Sequence, residues 1–496
     1  MSECRQNELS ERVWRAGRSL RGRVRTAEFR GYFFVTVFWK AITEVWRAHT
    51  EEYRRRFHGN ERLVERRLHR EQIQIPVGTE FDVLWEQRAE GDIGERINWA
   101  LQRLEQANPA KLEGLFREID FNSASVMGAT RERNARLRRW LDDFTRVDMS
   151  LTSGGSLVEG DLGKVFELLL ERWGREKRRN SRLGVLDRGV NLLLRDLMAP
   201  RKGERIYDPV CGCGTALSFL GDTVPEGEVL LFGQEADESA RMLCRMNLLL
   251  HGFPSFRVEG GDPLRTPRLL EDNRLMTFDI VVAHPLNSVG ERGQETALGD
   301  RFERYRRGVP PKSKADFAYL LHVVASLSDD TGRAAVVVGA GVLFRGGSER
   351  EIRRKLIEEG LIEAVIELPT RIGAVGSHAA AVIVLRRRRA VTDVLFIGTG
   401  RQRSGSAGAP LLDKCEVERM VQAYRQGKGE ESDCHRASLA EVAANEFNLT
   451  VSQYLDRSEK GEEIDLAELK REIGALEREL QDVRGRMSRY LKELEE

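Results

Sequence analysis

Four short strings in the middle of the chain combine glycines, acids and a histidine in an order that suits a ribose-bearing ligand. The first is Asp208-Pro209-Val210-Cys211-Gly212-Cys213-Gly214-Thr215-Ala216-Leu217. A Gly-x-Gly turn between a strand and a helix lets the backbone approach a ligand closely and aims N–H groups at it. The second is Gly233-Gln234-Glu235, about twenty residues further on, where a carboxylate can accept both ribose hydroxyls. The third, Gly261-Asp262-Pro263, sets another acid at the end of the following unit. The fourth is His284-Pro285-Leu286-Asn287, directly behind the apolar run Phe278 to Ala283. Glycines and acids at successive strand ends put a ligand at the carboxyl edge of a sheet. Leu217 stands where a dinucleotide fingerprint needs its last glycine, which argues against a dinucleotide oxidoreductase.

These strings need a sheet to carry them, and the flanking pattern supplies one. Apolar runs at Arg205 to Tyr207, Val229 to Gly233, Phe278 to Ala283, Arg333 to Val338, Ile362 to Leu368, Ala380 to Leu385 and Val394 to Ile397 alternate with helical stretches such as Glu235 to His251 and Phe317 to Leu327. Val- and Ile-rich runs without polar alternation signal strands buried on both faces. The expectation is an α/β fold: a seven-stranded, mostly parallel, Rossmann-like sheet over residues 153–410.

Residues 1–152 lack strand alternation and read as a helical domain. Its core is predicted from the aromatics Phe29, Tyr32, Phe33, Phe34, Phe38 and Trp39 between Trp14 and Trp46. Leu151 to Ser156 reads as a linker. Residues 411–496 form a third region. There Leu466, Leu469, Ile473, Leu476, Leu480, Val483, Met487, Tyr490 and Leu494 recur at alternating steps of three and four. That is a heptad seam over 466–494, the pattern of a coiled-coil helix wanting a partner, with another subunit favoured over the chain's own domain.

Composition narrows the class further. Hydrophobic residues make up 41% and charged residues 32%, and no apolar run reaches membrane-spanning length. The six cysteines are scattered, without the paired spacing of a metal site or a disulfide framework, so no metal is expected. They read as reduced thiols of a cytoplasmic protein. A net charge of +1 does not announce a nucleic-acid binder. Basic runs at Arg12 to Arg30, Arg133 to Arg139, Arg172 to Arg182 and Arg386 to Arg389 read first as solvated faces and second as phosphate contacts.

The string Asp208-Pro209-x-Cys211-Gly212-x-Gly214 resembles the S-adenosylmethionine loop of N6-adenine DNA methyltransferases. Longer strings are similar to the modification subunits of type I restriction-modification systems. These include Gln234-Glu235 with Met246-Asn247-Leu248-Leu249-Leu250-His251-Gly252, Arg301-Phe302, Gly308-Val309-Pro310-Pro311-Lys312-Ser313 and Gly341 to Gly347. Trp14-x-Ala16 with Leu20-Arg21-Gly22 and Asn445-x-x-Asn448-Leu449 extend the likeness toward both ends. The resemblance implies S-adenosyl-L-methionine as cofactor, with Glu235 holding the ribose and Asp262 the adenine. Gly212 and Gly214 would line the methionine side and Asp208 would contact its amino group. It implies DNA, a specificity subunit and a restriction subunit as partners, and no membrane.

The family pattern is broken at the strand that should present the target base. Such enzymes carry Asn-Pro-Pro-Phe/Tyr there, holding the adenine amine by side-chain and backbone carbonyls and stacking the flipped base on the ring. Here the string is His284-Pro285-Leu286-Asn287, so a neutral His284 nitrogen and the Pro285 carbonyl would serve as acceptors. Gly184-Val185-Leu186-Asp187 stands in place of a Phe-Tyr-Thr-Pro segment, and Ala216 stands where an aromatic often follows the glycines. Two readings stay open: a methyltransferase with an altered tip, or a catalytically degenerate subunit with a structural or regulatory role on DNA.

Overall fold

The computed structural model describes residues 3–21, 24, 26–149, 152–153, 156–157, 161–176, 186–224, 228–285, 296–297, 299–369, 380–389, 392–399, 412–427 and 433–455, with scattered positions from 476 to 487. Helices fill the first part of the chain, the longest being α1, Thr26–Arg56. Its buried face carries Tyr32, Phe33, Phe34, Phe38 and Trp39, as the aromatic crowding predicts. Their polar edges are satisfied: Trp39 Nε1 donates to the Thr79 carbonyl at 2.8 Å, and Tyr32 donates to the Asp120 carbonyl at 2.7 Å.

Helix α2, Asp161–Glu176, lies beyond the Leu151 to Ser156 stretch yet packs into this same aromatic core. Phe34 meets Phe166 with ring centroids 5.1 Å apart, and Trp14 meets Trp173 at 5.9 Å. Within and just past that stretch, Thr152–Ser153 pairs with Ser156–Leu157 as a small antiparallel ribbon.

Nine strands form the main sheet: β1 Arg205–Asp208, β2 Leu230–Glu235, β3 Phe256–Gly260, β4 Ile280–Ala283, β5 Arg333–Gly339, β6 Ile362–Leu368, β7 Ala380–Arg386, β8 Val394–Ile397 and β9 Cys434–Ala437. Their order across the sheet is β9-β8-β6-β7-β5-β4-β1-β2-β3. The block β3-β2-β1-β4-β5 is parallel throughout, β7 runs antiparallel to both its neighbours, and β9 is antiparallel to β8. The expected number of seven is therefore corrected to nine. The two additions, Phe-Arg-Val-Glu-Gly and Cys-His-Arg-Ala, are the edge strands. An edge strand has one neighbour and a half-wetted surface, so it carries no continuous apolar run.

Helices α3, Arg188–Met198, α4, Thr215–Gly221, and α7, Lys414–Gln426, cover one face of the sheet; α6, Asp316–Ala325, covers the other. Helix α5, Glu238–Leu250, has two buried faces. Cys244 and Leu248 join the sheet core, while Leu243, Met246 and Leu249 join the N-terminal aromatic core. Of the C-terminal seam, most lies outside the described residues; Leu476, Leu480, Val483 and Met487 are helical and between 51% and 60% exposed. Among the described residues no helix is long and apolar enough to cross a membrane.

Members of two of the basic runs are spent on ion pairs within the fold. Arg133 pairs with Asp92, Arg386 with Glu363, and Arg389 with Asp393.

One buried charge cluster ties the two cores together. The His251 side chain, just past α5, is fully buried between Glu167 of α2 at 3.3 Å and Asp222 at 3.2 Å. Gly163 of α2 allows this approach, since a Cβ there would sit 2.2 Å from the imidazole. Burial alone would depress the His251 pKa, but the two carboxylates outweigh it and raise it to about 10. The unfolded imidazole titrates near 6.5. The stabilisation is thus fully present below that pH and is lost as pH rises through about 10. Urea unfolding midpoints should therefore fall between pH 7 and pH 10. His251→Gln should lose about 3–5 kcal/mol at pH 7, the scale of stripping one partner from a buried ion pair, and should flatten that pH dependence.

Candidate active site at the carboxyl edge

The parallel block β4-β1-β2-β3 ends on one edge, and all the sequence-derived site residues stand there. In register, Asp208 faces Gly233, and Glu235 faces Gly260, one residue before the Gly261-Asp262 corner. Tyr207 faces Val281, so His284 follows the end of β4 just beyond the neighbouring strand. Topology alone brings together residues that are distant in the chain.

The loop between β1 and α4 is shaped by backbone hydrogen bonds. Val210 N–H donates to Asp208 Oδ1 at 2.9 Å, and Gly214 N–H to the Cys211 carbonyl at 2.7 Å. Gly212 N–H donates to Glu235 Oε2 at 2.8 Å, tying the glycine loop to the acid of the next strand. Glu235 Oε1 takes the Asp237 N–H, also at 2.8 Å. Gly214 has φ +75°, and a Cβ there would lie 2.6 Å from Cys244 Sγ of α5. Only glycine meets both demands at that position. Asp262 Oδ1 accepts the Leu264 N–H at 2.9 Å, which starts the turn after β3.

Electrostatics at this edge are governed by desolvation. Burial pushes the Asp208 carboxyl up to about 7; the Val210 N–H opposes this and the Glu235 charge adds to it. Glu235 is raised mainly by burial, against the backbone N–H groups of Asp237, Gly212 and Ala236. His284, 8% exposed, is lowered to about 4 by burial. Its Nδ1 is buried with no hydrogen-bond partner among the described residues. Pro285 is half-buried, while Leu286 and Asn287 lie outside the described residues. Of the Gly184 to Asp187 segment, Leu186 is buried and Asp187 caps α3, accepting the Gly189 N–H at 2.9 Å. Gly184 and Val185 lie outside the described residues.

Two residues that organise this edge had no site role in the sequence reading. Gln234, completely buried, donates from Nε2 to the Gly261 carbonyl at 3.1 Å and the Thr266 carbonyl at 2.8 Å. Arg304, 3% exposed, reaches the Pro263 and Leu264 carbonyls at 3.1 and 2.9 Å. It also reaches His322 Nδ1 at 3.3 Å, and Tyr207 of β1 lies 3.2 Å from the other ring nitrogen. A glutamine beside the strand-end acid is visible in the sequence, but nothing local marks Arg304.

A glycine loop joined to a strand-end acid, with further acids along the carboxyl edge, forms a candidate ligand site where open α/β sheets bind their ligands. Residues 158–463 match the N-6 DNA Methylase family and residues 9–144 the HsdM N-terminal domain. The chain belongs to the N-6 DNA methylase family, and its order of domains is that of a type I restriction-modification methylase subunit.

Among relatives, it is 26% identical over 476 residues to the type I restriction enzyme MjaVIII methylase subunit of Methanocaldococcus jannaschii, covering 92% of this chain and 80% of that one. It is 21% identical to the MpnII methylase subunit of Mycoplasma pneumoniae, covering 98% and 96%. Among solved structures, the type I restriction-modification methyltransferase subunit from Streptococcus thermophilus superposes with a TM-score of 0.79 at 25% identity, covering 91% of this chain and all of that one.

Proposed function

We propose that the carboxyl edge binds S-adenosylmethionine and that His284 and Pro285 hold an adenine flipped out of DNA for methylation at N6. The observation that carries this reading is the buried His284 at the end of β4, whose Nδ1 has no hydrogen-bond partner among the described residues. Family membership favours it over the reading of a scaffold that has lost methyl transfer.

The donor set fits the cofactor. Glu235 accepts backbone N–H groups on both oxygens and keeps acceptor capacity for a ribose hydroxyl. Asp208 supplies a carboxylate for the ammonium of the methionine end, and Gly212 and Gly214 let the chain lie flat beneath that end. Asp262, at the corner after β3, takes the adenine amine in this reading. When bound, the cofactor offers an electrophilic methyl group on a sulfonium.

The protein's own contribution is orientation and exclusion of water. With its pKa near 4, His284 stays uncharged at neutral pH, so an unprotonated ring nitrogen is a steady acceptor for one N6 hydrogen. The Pro285 carbonyl takes the other. Holding both hydrogens aims the amine lone pair out of the ring plane, toward the methyl position. No covalent intermediate and no metal are needed.

A binding role with other subunits accompanies this one. The relatives named above are methylase subunits of restriction enzymes, and this chain's exposed Leu476, Leu480, Val483 and Met487 continue a heptad seam. That seam docks on a helical segment of a specificity subunit, and base recognition lies in that partner, with a restriction subunit joining the assembly.

Calorimetric titration of the chain with S-adenosylmethionine tests the cofactor site directly. Affinity should fall as pH drops below about 7, approaching tenfold per unit, because the ammonium needs Asp208 ionised. No binding at any pH between 6 and 9 would end the reading. His284→Ala should abolish methyl incorporation into DNA while leaving cofactor affinity within about twofold, whereas His284→Asn should retain incorporation. Undiminished incorporation in His284→Ala removes that residue from the mechanism. Truncation after Asp456 should stop co-purification with the specificity subunit without changing cofactor binding; association that survives would sink the docking proposal.

A further inference from the structure

Beyond the acid end of the carboxyl edge two segments face each other across a groove of ≈ 740 Å³. One wall, from Leu264 to Leu270, follows Asp262 directly. The other, from Thr296 to Arg304, lies on the way back from β4 to α6.

The walls are held from below by the two buried polar side chains already described. Gln234 binds the Gly261 and Thr266 carbonyls and accepts the Arg268 N–H at 3.2 Å. Arg304 bridges the two walls, bonding the Pro263 and Leu264 carbonyls on one side and Asp300 at 2.8 Å on the other. A groove whose floor is knitted by buried hydrogen bonds keeps its shape without a ligand.

Its rim is basic. Arg265 and Arg268 are exposed on the first wall and Arg301 on the second, with the Arg301 guanidinium 4.7 Å from the half-buried Phe302 ring. The carboxylate among the lining residues, Asp300, is neutralised by Arg304. None of these three arginines belongs to the basic runs that stand out in the sequence. Guanidiniums on both sides of a long polar trough match a row of phosphates better than a single small anion.

We propose that this groove carries the sugar-phosphate backbone of the DNA strand that the chain acts on. The proposal rests on the DNA-methylating reading above and adds the surface that holds the strand. Arg265, Arg268 and Arg301 contact phosphates, and Phe302 offers an apolar flank for a neighbouring sugar or base.

The test uses the full chain and a fluorescent duplex containing one abasic site, followed by anisotropy between about 50 and 200 mM salt. Replacing Arg265, Arg268 and Arg301 together by Ala should weaken binding at least tenfold at low salt. The slope of log affinity against log salt should flatten by about 0.9 for each phosphate that is no longer neutralised. The corresponding triple Lys variant should keep most of that slope, which a purely structural role would not predict. As a control, Arg55, Arg56 and Arg62, exposed on the N-terminal helices, are replaced together by Ala. An unchanged slope in the groove variant, an equal loss in the control, or no DNA binding by the unsubstituted chain overturns the proposal. Normal DNA binding with lost assembly onto another subunit would make the groove a protein interface and equally overturn it. Cofactor titration of the same proteins separates the two readings. Lost DNA affinity with cofactor binding intact supports the groove, while absence of cofactor binding in the unsubstituted chain defeats the methyl-transfer reading and leaves the groove result standing.

Discussion

Both sides of the candidate site hang on the dipeptide Gln234-Glu235 at the end of β2. Within a sheet the backbone satisfies itself, but where strands stop every N–H and carbonyl needs another partner. Glu235 takes the Gly212 and Asp237 N–H groups, and the Gln234 carbonyl takes the Cys211 N–H at 3.1 Å. On the opposite side the Gln234 amide holds the turn after β3 through Gly261, Thr266 and Arg268. Two adjacent side chains thus fix the glycine loop and the Asp262 corner relative to each other. Leaving any of these buried groups unpaired costs about 1–3 kcal/mol each, so the edge is held as one unit.

That rigidity permits an unusual electrostatic state. Asp208 and Glu235 are pushed up by burial and His284 is pushed down, so desolvation moves each toward its neutral form. The consequences differ by residue. A cationic ligand reverses the shift on the carboxylates, since an adjacent ammonium or sulfonium restores the charged form. Nothing about such a ligand protonates His284; a nearby positive charge holds its pKa lower still. Binding a cation therefore favours the charged form of Asp208 while keeping the imidazole nitrogen available as an acceptor. An asparagine carbonyl would accept at any pH, whereas a histidine accepts reliably only because it is buried.

The sequence made the inner sheet and the acid series legible for a physical reason. Strands buried on both faces need apolar runs, which identified seven of the nine, and strand-end glycines and acids cannot be disguised by packing. Edge strands β3 and β9 obey weaker demands and left no run to read. The polar scaffold was harder to see. Arg304, His322 and Tyr207 come from three separate elements, and no spacing rule links them. Basic runs were misleading in the opposite sense, since Arg133, Arg386 and Arg389 are spent on internal carboxylates. The arginines with a groove to face are isolated in the sequence, because the walls that present them come from different parts of the chain.

Helix α5 makes the N-terminal helical region part of the site's mechanics. It begins where Asp237, gripped by Glu235, caps it through the Ala240 N–H at 2.9 Å. Midway along, Asn247 donates to the Cys213 carbonyl at 3.3 Å, and Cys244 closes over Gly214. Its opposite face is sunk among the aromatics of α1 and α2, and His251 at its end is clamped by Glu167. One face of this helix thus reads the glycine loop while the other reads the helical region. Interiors are close-packed and pass displacement from one face of an element to the other rather than absorbing it. A displacement of α1 or α2 would therefore be passed through α5 to the Gly212 to Gly214 loop, which the helical region does not itself have to touch.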